Sequence, residues 1–304
     1  TKTSEVPGQE NQKNNLMLKN VTNYHHPGSL DEALALDDRE SRSFFISGGT
    51  ALALSNSKRP VELIDVNGLG LDGIEADTSS GKIKIGATEK IQNVVESQTV
   101  RSMLGGYLSR SLEKIGSYPI RNAGTLGGSL VRPFPWSDVI PILSVLDATV
   151  AYYDGEEKGK RGLAELYKTE FRSKLNESII LGIEIEIPRT GVTLAKFSKF
   201  ARSEFDVAEL NLACRLTTDG GEVTEARLSV GARPMTATRA REVEEMLVGS
   251  ELEEGTAKKA AELAATSLEL KGDGKLSGEY RETLVKKMAR EAIEEIKREV
   301  GNES

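Results

Sequence analysis

The stretch Arg121-Asn122-Ala123-Gly124-Thr125-Leu126-Gly127-Gly128-Ser129 sets paired glycines between two hydroxyl residues, and the use of that pairing decides how the chain is read. Without a Cβ, such glycines let another group approach the backbone closely, and their N–H groups can converge on a phosphate oxygen. The blander use of glycine is a structural turn at positive φ. A second run of the same make-up, Ser47-Gly48-Gly49-Thr50, follows the apolar Phe44-Phe45-Ile46 and precedes Ala51-Leu52-Ala53-Leu54. That order predicts a strand, a tight turn and a helix start. Taken singly, each turn leaves both readings open.

A third glycine run, Gly68-Leu69-Gly70-Leu71-Asp72-Gly73, satisfies the dinucleotide pattern G-x-G-x-x-G after a predicted strand at Val61 to Val66. The pattern works when its last glycine opens a helix whose N-terminal N–H groups face a pyrophosphate. Here Ile74 to Lys84, with Ser79, Ser80 and Gly81, reads as loop and strand, so the run is expected to be a decoy.

Working outward, residues 1–19 are polar and aperiodic and are expected to form a flexible N-terminus. Ser29-Leu30-Asp31-Glu32 fits a capping box opening a helix over 29 to about 37. Strands are expected at Lys82 to Ile85, Thr149 to Tyr153 and Ser178 to Ile187, with helices from Ile91 to Ile115 and Asp138 to Leu146 and a turn-rich segment at Pro119 to Ser129. Pro188 suggests a boundary near residue 190. Beyond it come three strands, Lys196 to Phe200, Glu209 to Thr217 and Val223 to Gly231, and then a helix carrying Ala240, Val243 and Leu247 that Gly249 ends. Two more helices follow; the last has an apolar stripe of Leu284, Val285, Met288, Ala292, Ile293 and Ile296, read as core packing with a partner-binding face as the alternative.

With 304 residues the chain has room for about two cored domains. The net charge of −7 offers no basic footprint for nucleic acid. No run approaches the roughly 18 apolar residues of a membrane span, and the start lacks a signal-peptide core, so a cytoplasmic location is expected. The single cysteine, Cys214, cannot ligate a cluster that needs about four thiolates. His25 and His26 have no further ligands at metal spacing and read as surface or turn residues; no metal site is expected.

Several segments, in order, resemble the FAD-binding medium subunit of the xanthine dehydrogenase and carbon monoxide dehydrogenase (molybdenum hydroxylase) family. They are Tyr24 to Leu34, Ser47 to Thr50, Leu63 to Gly68, Ile85 to Ala87, Arg121 to Ser129 with Asp138 beyond it, Leu146 to Ala148, Lys199 to Ala208 and Gly231 to Arg241. The resemblance implies an α+β fold. A PCMH-type FAD-binding domain would cover 20–190, with a small α/β subdomain at about 20–77 and a mixed β-sheet subdomain at 78–190. A C-terminal flavoprotein domain of the carbon monoxide dehydrogenase type would cover 191–304, with a three-stranded antiparallel sheet and a helix bundle.

The resemblance further implies non-covalent FAD with its pyrophosphate between the two glycine turns, touched by Phe45, Ile46, Ser47, Gly48, Gly49, Thr50, Ala51 and Leu52 and by Thr125, Leu126, Gly127, Gly128 and Ser129. By the same likeness Ile115 and Ile180 would pack on the cofactor, Asp138 would accept a hydrogen bond from it, and Lys199 would lie near the flavin. The plainer roles are core for both isoleucines, a helix N-cap for Asp138 and a strand lysine for Lys199; a strict count back from Asp206 puts Ser198 in place of Lys199. Trp136 reads as a core aromatic or as lying on the flavin. No catalytic acid or nucleophile is expected. An iron-sulfur small subunit and a molybdopterin large subunit are the implied partners, with NAD or another molecule as acceptor. A stand-alone FAD-dependent oxidoreductase of the PCMH-type fold group and a non-catalytic assembly module are the alternatives.

Overall fold

Three sheets organise the molecule in the computed structural model, which describes residues 20–37, 42–53, 60–131, 134–232, 236–253 and 255–303. The first sheet is small and parallel, built from β1 (Val21–His25), β2 (Ser43–Ile46) and β3 (Val61–Asp65) in the order β1-β3-β2. Parallel neighbours need a crossover, and α1 (Leu30–Ala35) supplies it between β1 and β2. Its capping box forms, with the Glu32 N–H donating to Ser29 Oγ at 3.1 Å, but the Glu32 carboxylate reaches one residue further back, to the Gly28 N–H at 2.7 Å. Strand β1 is mostly exposed, which is why no apolar alternation announces it, and it puts His25 in a strand rather than a turn. After Thr50 one helical turn closes, with the Ala53 N–H on the Gly49 carbonyl at 2.8 Å; the rest of the expected helix, from Leu54, lies outside the described residues.

The second sheet holds β4 (Ile74–Asp77), β5 (Lys82–Gly86), β6 (Thr149–Tyr153), β7 (Lys158–Gly162) and β8 (Ile179–Glu186) in the order β4-β5-β8-β6-β7. Each of its pairings is antiparallel, so this layer is not the mixed sheet expected. Because β4 pairs with β5, the chain passes from the first sheet to the second at residues 66–73, near the division expected at about 77. The decoy glycine run is that passage: a 3-10 turn over Asn67–Leu69, Gly70 at φ 66, Gly73 at φ 102, and then a strand.

Against this sheet pack α2 (Ile91–Glu96), α3 (Gln98–Ser102), α4 (Tyr107–Glu113), α5 (Tyr118–Ala123), α6 (Gly128–Val131), α7 (Val139–Ser144), α8 (Leu163–Leu166) and α9 (Thr169–Asn176). The segment expected as turns before Gly124 is helix α5, started by Pro119 in its first turn, where a missing N–H costs nothing. Ile83, Ile85, Val94, Leu112, Leu126, Leu130, Ile142 and Ile183 close the core between sheet and helices. Burial of each such side chain is worth about 1.5–3 kcal/mol.

The third sheet is antiparallel, β12-β11-β10-β9, with β9 (Val192–Phe200), β10 (Leu210–Asp219), β11 (Glu222–Gly231) and β12 (Thr238–Arg239). The three expected strands are present, and a two-residue fourth is added at the edge. Helices α10 (Arg241–Leu247), α11 (Thr256–Ser267) and α12 (Gly278–Glu303) cover one face. The α12 stripe of Leu284, Val285, Met288, Ala292, Ile293 and Ile296 is buried with Leu212, Cys214 and Leu216 of β10, which is core packing.

The second and third layers are joined at Asp147, which follows α7 at φ 49. Its carboxylate accepts from Arg215 Nη2 at 3.0 Å, Arg227 Nε at 2.7 Å and Arg239 Nη1 at 2.6 Å, all three from the third sheet.

Candidate cofactor site

The two glycine turns meet. A Cβ on Gly48 would lie 2.2 Å from the Ala123 carbonyl oxygen and 2.9 Å from Gly124 Cα, so the first turn rests directly on the backbone that leads into the second. Gly127 serves the same end one step on: a Cβ there would stand 2.7 Å from Ala87 Cβ. Among Gly48, Gly49, Gly127 and Gly128, Gly49 alone has a positive φ, 66°. Close approach, more than a special turn, is what most of these glycines provide.

The turns differ in what they offer a ligand. In the second, the Leu126 N–H goes to the Glu89 carbonyl at 3.1 Å and the Gly127 N–H to the Ala87 carbonyl at 3.0 Å. The Gly128 N–H goes to Thr125 Oγ1 at 3.2 Å, and the Ser129 N–H and hydroxyl both go to the Thr125 carbonyl. Four of the five N–H groups of the second turn are thus engaged within the protein, because its edge pairs with residues 87–91, and the Thr125 N–H meets no acceptor among the described residues. In the first turn, the N–H groups of Gly48, Gly49, Thr50, Ala51 and Leu52 meet no acceptor among the described residues, and all five residues are half-buried. Partly buried N–H groups call for a partner, and converging ones suit an anion.

Two further side chains serve this seam. Asn67 donates from Nδ2 to the Ser47 carbonyl at 3.3 Å and accepts from Ser47 Oγ at 2.7 Å, while Asp65 Oδ1 holds the same Nδ2 at 2.7 Å. Asn67, which opens the 3-10 turn of the decoy passage, thus braces the first glycine turn. Lys90 Nζ lies 3.3 Å from the Ala123 carbonyl, the oxygen against which Gly48 rests, which sets an ammonium beside both turns in an otherwise acidic chain. Neither residue carries a local signal in the sequence that would single it out.

A second group gathers at the face between the second and third layers. Lys199, on β9, has its ammonium 3.6 Å from Asp138 Oδ2 and donates to the carbonyls of Lys114 at 2.5 Å, Glu204 at 3.2 Å and Asp206 at 3.3 Å. Its side chain is 7% exposed, so the plain role of a solvated strand lysine does not hold. Ser198, one step along the strand and so on its other face, stands opposite Leu212 of β10, and its Oγ is buried without a hydrogen-bond partner among the described residues. Asp138 stands at the N-cap position of α7 but makes no cap bond; Asn211 Nδ2 reaches its Oδ1 at 2.7 Å instead. Burial pushes the Asp138 carboxyl above the ordinary range, while Lys199, the Asn211 hydrogen bond and Lys114 pull it back.

Arg121 anchors α5 to α2 and to the end of α4. It is buried, with Nε on Gln92 Oε1 at 2.8 Å and Nη1 on the carbonyls of Glu113 at 2.8 Å and Ile115 at 3.1 Å, so α5 carries one fixed geometry from Ile115 to Gly124. Ile115 packs on the edge of the main core. Ile180 is 5% exposed on β8, with Leu181 beside it accepting from the Ala87 N–H at 3.1 Å, and Leu126 is wholly buried; both side chains belong to the core. Phe45 and Ile46 are half-buried at the end of β2. Trp136 is not a core aromatic: it is 43% exposed and stacks on Phe134 with ring centroids 4.9 Å apart. Cys214 is wholly buried in the third layer, where burial pushes its thiol up to about 12. Among the described residues no three His, Cys, Asp or Glu side chains stand as a metal-holding group.

Residues 19–190 match the FAD binding domain in molybdopterin dehydrogenase, and residues 195–296 match the CO dehydrogenase flavoprotein C-terminal domain. The chain belongs to the FAD-binding medium subunits of the molybdenum hydroxylase family. FAD is the cofactor of that family's domain, and the subunit is a part of an oxidoreductase. It is 25% identical over 277 residues to the glyceraldehyde dehydrogenase medium chain of Sulfolobus acidocaldarius, covering 90% of this chain and 97% of that one. It is 28% identical over 296 residues to the carbon monoxide dehydrogenase medium chain of Afipia carboxidovorans, covering 94% and 100%. In structure it is similar to a chain of quinoline 2-oxidoreductase from Pseudomonas putida 86, with a TM-score of 0.80 at 26% identity over 91% of this chain and 97% of that one. The medium subunit's own geometry fits a dinucleotide: five N–H groups, an ammonium, and a backbone contact with no room for a Cβ at one seam.

Proposed function

We propose that this medium subunit accepts electrons from an iron-sulfur subunit onto FAD and passes them to NAD or another acceptor, while a molybdopterin subunit oxidises the substrate. The observation that carries the reading is the seam where Gly48 rests on Ala123 and Gly124, with Lys90 Nζ on the same Ala123 carbonyl and the N–H groups of residues 48–52 without an acceptor among the described residues. There the pyrophosphate of FAD would be held by the backbone from Ser47 to Leu52, and by Lys90, with Thr125, Gly127, Gly128 and Ser129 forming the opposite wall. Phe45, Ile46, Leu126 and Ile180 would shape the walls from behind, and Ile115, Asp138 and Lys199 would meet the flavin end. The bound flavin would supply two-electron storage with one-electron exchange. The chain's residues would then bind and orient, and no acid, base or nucleophile of this subunit is needed. Residues 20–190 form the binding unit in this reading and 191–304 close it, in a cytoplasmic complex.

Titration of the FAD-free protein with FAD, followed by flavin fluorescence, tests the reading. Saturation at one FAD per chain, released on denaturation as free FAD, is the expected result. A protein that takes up no FAD under any loading condition overturns it. Copurification from its native host with an iron-sulfur chain and a molybdopterin chain tests the partners.

A further inference from the structure

The third sheet presents one cross-strand row toward the second layer. Asn211 on β10 stands opposite Lys199 on β9 and opposite Gly231 on β11. Its side chain is wholly buried, and Nδ2 donates to Asp138 Oδ1 at 2.7 Å and to the Ser137 carbonyl at 3.1 Å. Turning the amide over would set its oxygen against a carboxylate and a carbonyl, so its orientation is fixed. A Cβ on Gly231 would lie 2.3 Å from Asn211 Oδ1, so the glycine on the neighbouring strand makes the room the amide needs. Lys199 holds the other Asp138 oxygen, Oδ2, at 3.6 Å. Two strands of the C-terminal sheet therefore grip the two oxygens of one carboxylate that belongs to the other domain, and each oxygen keeps a lone pair to spare.

We propose that Asn211 is a positioning residue for FAD: by fixing the Asp138 carboxylate it makes the C-terminal sheet part of the cofactor site, so that FAD binding and closure of the interface between the layers stabilise each other. The proposal rests on the reading of Asp138 as a cofactor contact. The coupling is reciprocal by thermodynamic necessity: whatever tightens the Asp138 grip tightens FAD, and FAD tightens the grip. The groups facing Asp138 are Lys199 from β9, Asn211 from β10 and Lys114 from the end of α4. Replacing the amide donor with an acid sets two carboxyls within hydrogen-bonding distance, which share a proton at lower pH and repel one another once both ionise.

The test is FAD affinity of the FAD-free protein at pH 6 and pH 8 for wild type, Asn211→Asp and Gly231→Ala, with melting temperatures measured with and without FAD. Asn211→Asp is expected to bind FAD about tenfold or more weakly at pH 8, with much of the loss recovered at pH 6, and to lose the FAD-induced rise in melting temperature at pH 8. Gly231→Ala, which keeps the amide but displaces it, is expected to weaken FAD at both pH values and serves alone if the first variant does not fold. Wild-type affinity in either variant at pH 8 overturns the proposal. So does an equal loss at both pH values in Asn211→Asp, matched by a fall in the melting temperature of the FAD-free protein. If wild type itself binds no FAD, the reading of the site fails instead.

Discussion

Replacing Gly48 with alanine tests the seam with the smallest possible change. The new Cβ would stand 2.2 Å from the Ala123 oxygen, short of the 3.4 Å of an ordinary contact by about 1.2 Å. The opposing atoms are backbone, so no rotamer change relieves the overlap, and the two turns must part. Gly48 does not have a positive φ, so the substitution carries no backbone strain of its own. Overpacking of this kind costs about 1–3 kcal/mol. For a domain of this size each kcal/mol lowers the melting temperature by about 2–4 °C. The larger effect is expected on FAD, since a parted seam misplaces the N–H groups of residues 48–52. A loss of affinity of about tenfold or more corresponds to about 1.4 kcal/mol. Gly49→Ala is the control. It meets nothing nearer than Ile46 Cδ1 at 3.4 Å, so it adds strain at φ 66 without separating the turns, and should lower stability more than it lowers affinity. Calorimetric titration of the FAD-free proteins reads both. If Gly48→Ala binds FAD within twofold of wild type, the seam is not where the cofactor is held.

Gly128→Val brings a branched side chain against Thr125 Oγ1, which a Cβ would meet at 2.8 Å, and should reduce the flavin retained through purification, read as the ratio of flavin to protein absorbance. Asp147→Asn tolerates the left-handed φ of 49° but removes the charge shared by three arginines. Because the aspartate is 42% exposed, the expected loss is about 1–2 kcal/mol in denaturant unfolding at low salt and less at high salt. Arg281→Met empties a side chain that is 1% exposed and serves the carbonyls of Lys271 and Leu276 and the Asp273 carboxylate; unfolding should cost about 3–5 kcal/mol less. The Leu276 and Lys275 N–H groups and Arg281 hold the Asp273 carboxyl down, from 3.8 to about 2. A lowered folded value means that its stabilisation is complete above the unfolded value and is lost as pH falls through about 2. The stability gap between wild type and Asp273→Asn should therefore be constant above pH 5 and close toward pH 2.

The elements legible in the sequence were those with a period: β6, β8 and the α12 stripe bury one apolar face, and β10, though buried on both faces, still alternates Leu210, Leu212, Cys214 and Leu216 with Asn211, Arg215 and Thr217, so apolar spacing reports them. Strand β1 and strand β7 are largely exposed, and α5 is a short helix rich in turn residues, so neither alternation nor stripe marks them. The glycine turns were legible as composition but not as a division of labour. Whether the N–H of Gly127 is free depends on Ala87, 40 positions away, and no local pattern records that. Asn67, Lys90, Arg121 and Asn211 were unreadable as supports for the same reason: each acts through a partner that the fold, rather than the neighbouring sequence, puts beside it.

The small first layer runs into the second at residues 66–73, and among its described residues the buried apolar side chains are few: Ala33, Val61, Leu63 and Ile64, the cluster of Ala33 and Ile64 being closed by Ile179 of β8. Regions with few buried apolar contacts open at low free energy, well below global unfolding. The layer that carries the N–H groups of residues 48–52 is therefore expected to open more readily than the other two, as a flap. Amide hydrogen exchange in β2 and β3 should then run ahead of that in β8 and β10, and should slow when FAD is added. The residence time of the cofactor would be set by how often that flap lifts, a quantity that the affinity alone does not contain.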